Sequence, residues 1–311
     1  MQNSKFKMQT LTEWRRSEQT RPVRVLFALC ILHLALLLLP STASAQLLAA
    51  KDGPIVYGHH HVNATSPAEH KKFWADTLGG TVIKVGTDNR EIIRMPNVLI
   101  FMREQAAKGG TKGSVHDHIG LSVPNLRATL AKVTANGFRN ITAQDSLPGQ
   151  KVNGDIVELG TGAVSALAYI LGPDDVKVEV LEMKAQKEPV KLHHMHFYGH
   201  QQTEMRDWYV KVFGATAVAG ANPNFISANL PGVVLNFSAT PAATAATTGR
   251  ALDHIGFEVK NLAEFLARLE AQGIKPSVTL RRVEALGLSI AFIVDPWGTN
   301  IELTEGLDKI Q

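Results

Sequence analysis

The chain contains its own repeat. Asp117-His118-Ile119-Gly120-Leu121-Ser122-Val123-Pro124-Asn125-Leu126 and Asp253-His254-Ile255-Gly256-Phe257-Glu258-Val259-Lys260-Asn261-Leu262 agree at seven of ten positions, at an offset of 136. At an offset of 135, His59 falls on His194, His61 on His196, Phe73-Trp74 on Trp208-Tyr209, Leu78-Gly79 on Phe213-Gly214 and Pro96 on Pro231. A repeat of this length constrains the fold more than any local pattern, because each copy must be a supersecondary unit that buries its apolar face against another. Each half divides again, since His59 and His118 both sit in a short apolar strand that leads into an amphipathic helix.

Spacing places the helices and strands. Leu262, Phe265, Leu266 and Leu269 follow i, i+3, i+4, i+7, and Gly273 and Gly137 stop matching helices. Ser66-Pro67-Ala68-Glu69 is a helix start, with Ser66 as N-cap, Pro67 at the first helical position and Glu69 closing a capping box. Short apolar runs at 98–101 and 233–235 are strands, and segments rich in Gly, Ala and Thr at 106–113 and 241–249 join units within a half. Residues 184–191 join the halves. Each unit is therefore a strand, a helix and two or three strands.

Four such βαβββ units, together with Asp295-Pro296-Trp297-Gly298-Thr299-Asn300-Ile301-Glu302-Leu303 and Asp253-His254-Ile255-Gly256, resemble the vicinal oxygen chelate superfamily of glyoxalases, bleomycin-resistance proteins and ring-cleaving dioxygenases. The resemblance implies an α+β fold of four modules in two tandem domains, residues 55–183 and 190–306, each pair of modules forming a curved eight-stranded sheet. It also implies metal ligands on the first strand of each unit and on the last strand of a unit. Carried over, these are His194, His254 and Glu302 in the second half and His59, His118 and Glu179 in the first. Two imidazoles and a carboxylate suit a divalent ion, with Fe(II) or Mn(II) favoured and Zn(II) or Ni(II) accommodated. Family members often keep only the carboxy-terminal site, so the tighter ion is expected in the second half.

Neighbouring residues divide by strand alternation. His61 and His196 lie two residues beyond the first-strand ligands and face the same side, which makes His196 a candidate acid–base residue or an outer partner of the ligands. His60 and His193 face the other way and are read as incidental. Asp117 and Asp253 also point away and are read as structural.

Departures from the family pattern bear on the reaction. The glyoxalase type uses a second glutamate from the last strand of the first unit of a pair, but 98–102 and 233–237 hold no carboxylate, only Asn236. The ring-cleaving type places a tyrosine before the last hairpin, where this chain has Phe292; Tyr169 is its equivalent in the first half. The resemblance thus implies a metal-dependent enzyme acting on a small substrate with vicinal oxygens. Dioxygenase-like chemistry is expected ahead of a redox-neutral lyase or isomerase, and non-catalytic binding of a small molecule, as in bleomycin-resistance proteins, is the alternative.

The first 45 residues form a separate signal. Lys5, Lys7, Arg15, Arg16, Arg21 and Arg24 precede an apolar run at 25–39, then Pro40 and Ala43-Ser44-Ala45, which describes a secretory signal peptide cleaved after Ala45 and a secreted or periplasmic protein. This segment carries a net charge of +4 against Glu13 and Glu18, equal to the net charge of all 311 residues. The mature chain is then close to neutral, which excludes a nucleic-acid partner argued from charge, and no membrane attachment is expected after cleavage. Cys30, the only cysteine, lies in the leader, so any metal is held by His, Asp or Glu. A homodimer is compatible with these features.

Overall fold

The computed structural model describes residues 55–147, 149–220 and 224–310. The leader, its cleavage after Ala45 and Cys30 lie outside the described residues. Unit one is β1 (Ile55–Ala64), α1 (Pro67–Lys71, continuing as a π-helical turn Lys72–Thr77), β2 (Thr81–Val85), β3 (Arg90–Met95) and β4 (Val98–Glu104). Unit two is β5 (His116–Val123), α2 (Leu126–Ala135), β6 (Ile156–Glu158), β7 (Ala166–Leu171) and β8 (Lys177–Glu182). Unit three is β9 (Lys191–Gly199), α3 (Gln202–Phe213), β10 (Thr216–Val218), β11 (Phe225–Leu230) and β12 (Val233–Ala239). Unit four is β13 (Leu252–Val259), α4 (Leu262–Ala271), β14 (Val278–Val283), β15 (Leu288–Val294) and β16 (Asn300–Glu305).

Local chemistry accounts for these elements. Ser66 caps α1 by accepting from the Glu69 N–H, with Pro67 in the first turn. Asn125 and Asn261, from the repeated motif, cap α2 and α4 in the same way, accepting from the N–H groups of Ala128 and Glu264. Leu262, Phe265, Leu266 and Leu269 are the buried face of α4. Among the described residues no helix is long and apolar enough to cross a membrane.

The units pair differently from their order in the chain. One sheet runs β14-β15-β16-β13-β1-β4-β3-β2 and joins units four and one. The other runs β10-β11-β12-β9-β5-β8-β7-β6 and joins units three and two, with the short strands Val152–Asn153 and Arg139–Asn140 added at β6 and β7. The stretches 55–183 and 190–306 therefore do not each close a sheet of their own; each gives one unit to each sheet. The connections expected to join units within a half cross between the sheets side by side. The Lys108 N–H donates to the Gly249 carbonyl at 2.8 Å, Ala251 to Gly109 at 2.8 Å, and Val115 to Ala245 at 2.8 Å. All four first strands carry similar apolar patterns, and the paired crossings accompany the pairing of unit one with four and of unit two with three. Both sheets share one core containing Tyr57, Trp74, Phe197, Phe213, Phe237 and Phe257, all fully buried.

Two candidate metal centres

Each sheet is joined at its middle by two antiparallel first strands, and each join carries two bulges. In the first sheet Tyr57 pairs with Phe257 and His59 with Gly256, leaving Gly58 extra; His61 pairs with His254 and Val62 with Leu252, leaving Asp253 extra. In the second, Leu192 pairs with Leu121 and His194 with Gly120, leaving His193 extra; His196 pairs with His118 and Phe197 with His116, leaving Asp117 extra. A bulge breaks the two-residue alternation and re-aims the side chains beside it. Here it aims histidines from both strands at one point.

In the first centre, His59 Nε2 and His254 Nε2 lie 3.1 and 2.8 Å from the same oxygen, Oε2 of Glu302 on β16. In the second, His118 Nε2 and His194 Nε2 each lie 3.0 Å from Oε2 of Glu179 on β8, and 3.5 Å from one another. All six residues expected as ligands are brought together, but in groups that cross the sequence halves. His59 joins His254 and Glu302, and His194 joins His118 and Glu179. The triads expected within each half are corrected accordingly, because the sheets are built from units one with four and two with three.

Asp117 and Asp253 have a different place from the one alternation suggests. As bulge residues they turn back on their neighbours: His254 Nδ1 donates to Asp253 Oδ1 at 2.6 Å, and His118 Nδ1 donates to Asp117 Oδ1 at 2.8 Å. The extra residue His193 likewise reaches His194, Nδ1 to Nδ1 at 3.0 Å, so it is not incidental. His60 is turned away and accepts from the Tyr57 hydroxyl at 2.6 Å. Such outer partners fix the tautomer and orientation of a ligating imidazole.

These partners also supply the test of fit for an ion. With Nδ1–H committed to Asp117, a neutral His118 turns the Nε2 lone pair toward a Glu179 oxygen 3.0 Å away, and His254 does the same toward Glu302. Two lone pairs at that distance require a proton or a cation between them. Burial alone lowers the two imidazoles' proton affinity, but the paired carboxylates outweigh it and raise both values. Burial likewise raises the Glu179 and Glu302 carboxyls, and the paired histidines hold both well below the usual range. Ligands about 2.1 Å from an ion and at right angles are about 3 Å apart, and the spacings of both clusters match that. The donor sets fit a divalent ion.

The surroundings differ. His196 lies with the second cluster, all four donor atoms within 4.8 Å; its Nε2 meets Ser238 Oγ at 2.8 Å and its buried Nδ1 has no partner. Burial and the nearby His118 and His194 hold His196 well below the usual imidazole range. Its counterpart His61 is half-buried against Phe101 and His254 and lies outside the first cluster. Tyr169 on β7 pairs in register with Glu179, its ring 5.7 Å from His118. Phe292 on β15 pairs with Glu302 and packs 5.1 Å from His254.

A profile of the Glyoxalase/Bleomycin resistance protein/Dioxygenase superfamily matches residues 191–303. The carboxy-terminal part belongs to this superfamily. No curated protein matches the sequence. Among solved structures, glyoxalase I from Zea mays superposes with a TM-score of 0.60 at 15% identity, covering 82% of this chain and 94% of its own. A mutant of that enzyme gives 0.61 at 13% identity, over 82% and 95%. A putative dioxygenase from Bacillus subtilis subsp. subtilis str. 168 gives 0.58 at 13% identity, over 80% and 84%. Identities this low show a shared fold, and the shared fold takes in units one and two as well.

Proposed function

We propose that the protein is an exported, divalent-metal-dependent enzyme of the vicinal oxygen chelate superfamily, acting at its second centre on a small substrate with two adjacent oxygens. The observation that carries this is the pairing of Tyr169 with Glu179, which puts a phenol beside the two-histidine, one-carboxylate set of His118, His194 and Glu179. An ion held there, with Fe(II) or Mn(II) favoured, would supply Lewis acidity and an oxygen-dependent centre. Tyr169 supplies a hydroxyl that orients a substrate oxygen and donates a proton to it. His196, with a free buried Nδ1, supplies an acid–base group on the same face.

The first centre supports a different reading. Phe292 and Phe101 line it and no phenol adjoins Glu302 among the described residues, so His59, His254 and Glu302 are suited to redox-neutral catalysis or to holding an ion without turnover. Export rests on the basic, apolar and small-residue order of the first 45 residues, and amino-terminal sequencing of protein from its native host tests it. For the reaction, the protein is reconstituted anaerobically with Fe(II), Mn(II) or Zn(II) and offered vicinal diols and keto-acids with and without oxygen. Oxygen-dependent turnover is expected. Turnover with Zn(II) in the absence of oxygen sinks the dioxygenase reading, and tight binding with no turnover under any metal favours a small-molecule binding protein.

A further inference from the structure

Among the described residues, Lys177 is a buried cation beside the second centre with no counterpart at the first. It lies on β8, two residues before Glu179, with 7% of its side chain exposed. Its Nζ donates to Asp117 Oδ1 at 2.9 Å and forms an ion pair with Asp145 Oδ2 at 2.8 Å, and it stands 4.6 Å over the Tyr169 ring. The same oxygen of Asp117 accepts from His118 Nδ1. The matching position in the first centre, two residues before Glu302, is Asn300. Its amide reaches Asp253 Oδ1 only at 3.5 Å, and the other oxygen of Asp253 accepts from the Gly249 N–H. Arg103 acts on Asp253 from a distance and is exposed.

The charge around the two centres is therefore unequal. Asp253 and Glu302 stand against no buried cation among the described residues, whereas Asp117 and Glu179 are opposed by Lys177. Asp145 adds no free charge to the second centre, because Lys112 also pairs with it. A carboxylate that hydrogen-bonds an imidazole raises its strength as a ligand. One that is shared with an ammonium does so less.

We propose that Lys177 is a positioning residue that differentiates the centres: by sharing Asp117 with His118 it weakens that imidazole as a ligand, so an ion at the second centre is held less tightly and polarises a bound oxygen more strongly. This rests on the reading that both clusters take divalent ions. It assigns a firmly held ion to the first centre and a more labile, more acidic one to the second.

The test isolates each centre. In a His254→Ala background, which disables the first centre, the Zn(II) dissociation constant of the second is measured by chelator competition with Lys177 intact, with Lys177→Met and with Lys177→Asn. Both replacements are expected to tighten Zn(II) about tenfold, at the lower end of outer-partner effects. If Lys177 merely propped Asp117 in place, the same replacements would weaken binding. In the reciprocal arm, made in a His118→Ala background that disables the second centre, Asn300→Lys replaces a part-exposed side chain and is expected to weaken Zn(II) at the first centre about tenfold. Unchanged or weaker binding in the Lys177 variants, with melting curves like the parent's, overturns the proposal, as does tighter or unchanged binding in Asn300→Lys. If neither single-centre background binds Zn(II) with Lys177 and Asn300 intact, the metal reading itself fails and the proposal falls with it.

Discussion

The His194 imidazole occupies the volume that a side chain at Gly120 would need: a Cβ built there overlaps ring atoms Cγ, Nδ1 and Cε1. Gly256 stands in the same relation to His59. The two pairs are also register partners, His194 with Gly120 and His59 with Gly256. The glycine of each Asp-His-Ile-Gly motif thus seats the histidine donated by the other unit. Neither glycine has a positive φ, so packing alone requires it.

Gly120→Ala is accordingly expected to displace His194 and weaken the ion of the second centre by tenfold or more, leaving the first intact. Gly256→Ala should do the reverse. Elemental analysis after dialysis should show one ion lost in each variant and both lost in the double variant. Retention of both ions in either single variant would show that the rings have another seat.

Pairing across the sequence halves makes a second prediction. His59→Ala and His254→Ala strike the same centre, so the double variant should lose little more metal than either single one, as expected for groups acting as a unit. His59→Ala with His194→Ala strikes both centres and should empty the protein. The opposite pattern, with His194→Ala and His254→Ala overlapping, would restore the grouping by sequence half.

The sequence made much of this legible and concealed the rest for physical reasons. The repeat discloses the four units, and the motif histidines with Glu179 and Glu302 are the six residues that the two clusters bring together. Which of them cluster together is hidden in the sequence, because four similar strands leave their partners unspecified until the crossing segments at 106–113 and 241–249 lie together. Strict alternation misplaces Asp117, Asp253 and His193 because it fails at a bulge, and a bulge is a property of two strands in register. Nothing local marks Lys177, since a lysine in a strand is ordinarily solvated; its signal in the sequence is its place two residues before Glu179, where the other copy has Asn300.

Tyr169 offers a prediction on turnover. Tyr169→Phe keeps every donor atom and should leave metal content unchanged, while the rate of any oxygen-dependent reaction falls about 100-fold or more, the usual scale of a lost proton donor. Phe292→Tyr, at the other centre, should change that rate little. Oxygen uptake with the Fe(II)-loaded protein measures both. Equal rates for the parent and Tyr169→Phe would remove the phenol from the mechanism.

Glu258 makes stability depend on pH. It lies on β13, 5% exposed, and accepts from the N–H groups of Gly306 at 2.7 Å and Leu307 at 3.1 Å and from the Thr304 hydroxyl at 3.1 Å. Burial pushes its carboxyl up to about 7 against these hydrogen bonds, and the Asp308 carboxylate adds to the rise. A value raised on folding means the folded state binds the proton more strongly. The stabilisation is then fully present below about pH 4.5, the unfolded value, and is lost as pH rises through about 7, an effect on the order of 3 kcal/mol. Glu258→Gln cannot ionise, so relative to the parent it should gain stability between pH 5 and pH 8. Urea denaturation of both proteins across that range checks it, taken as a difference so that other titrating groups cancel. Parallel profiles would mean that the carboxyl ionises in the folded protein as readily as in the unfolded chain.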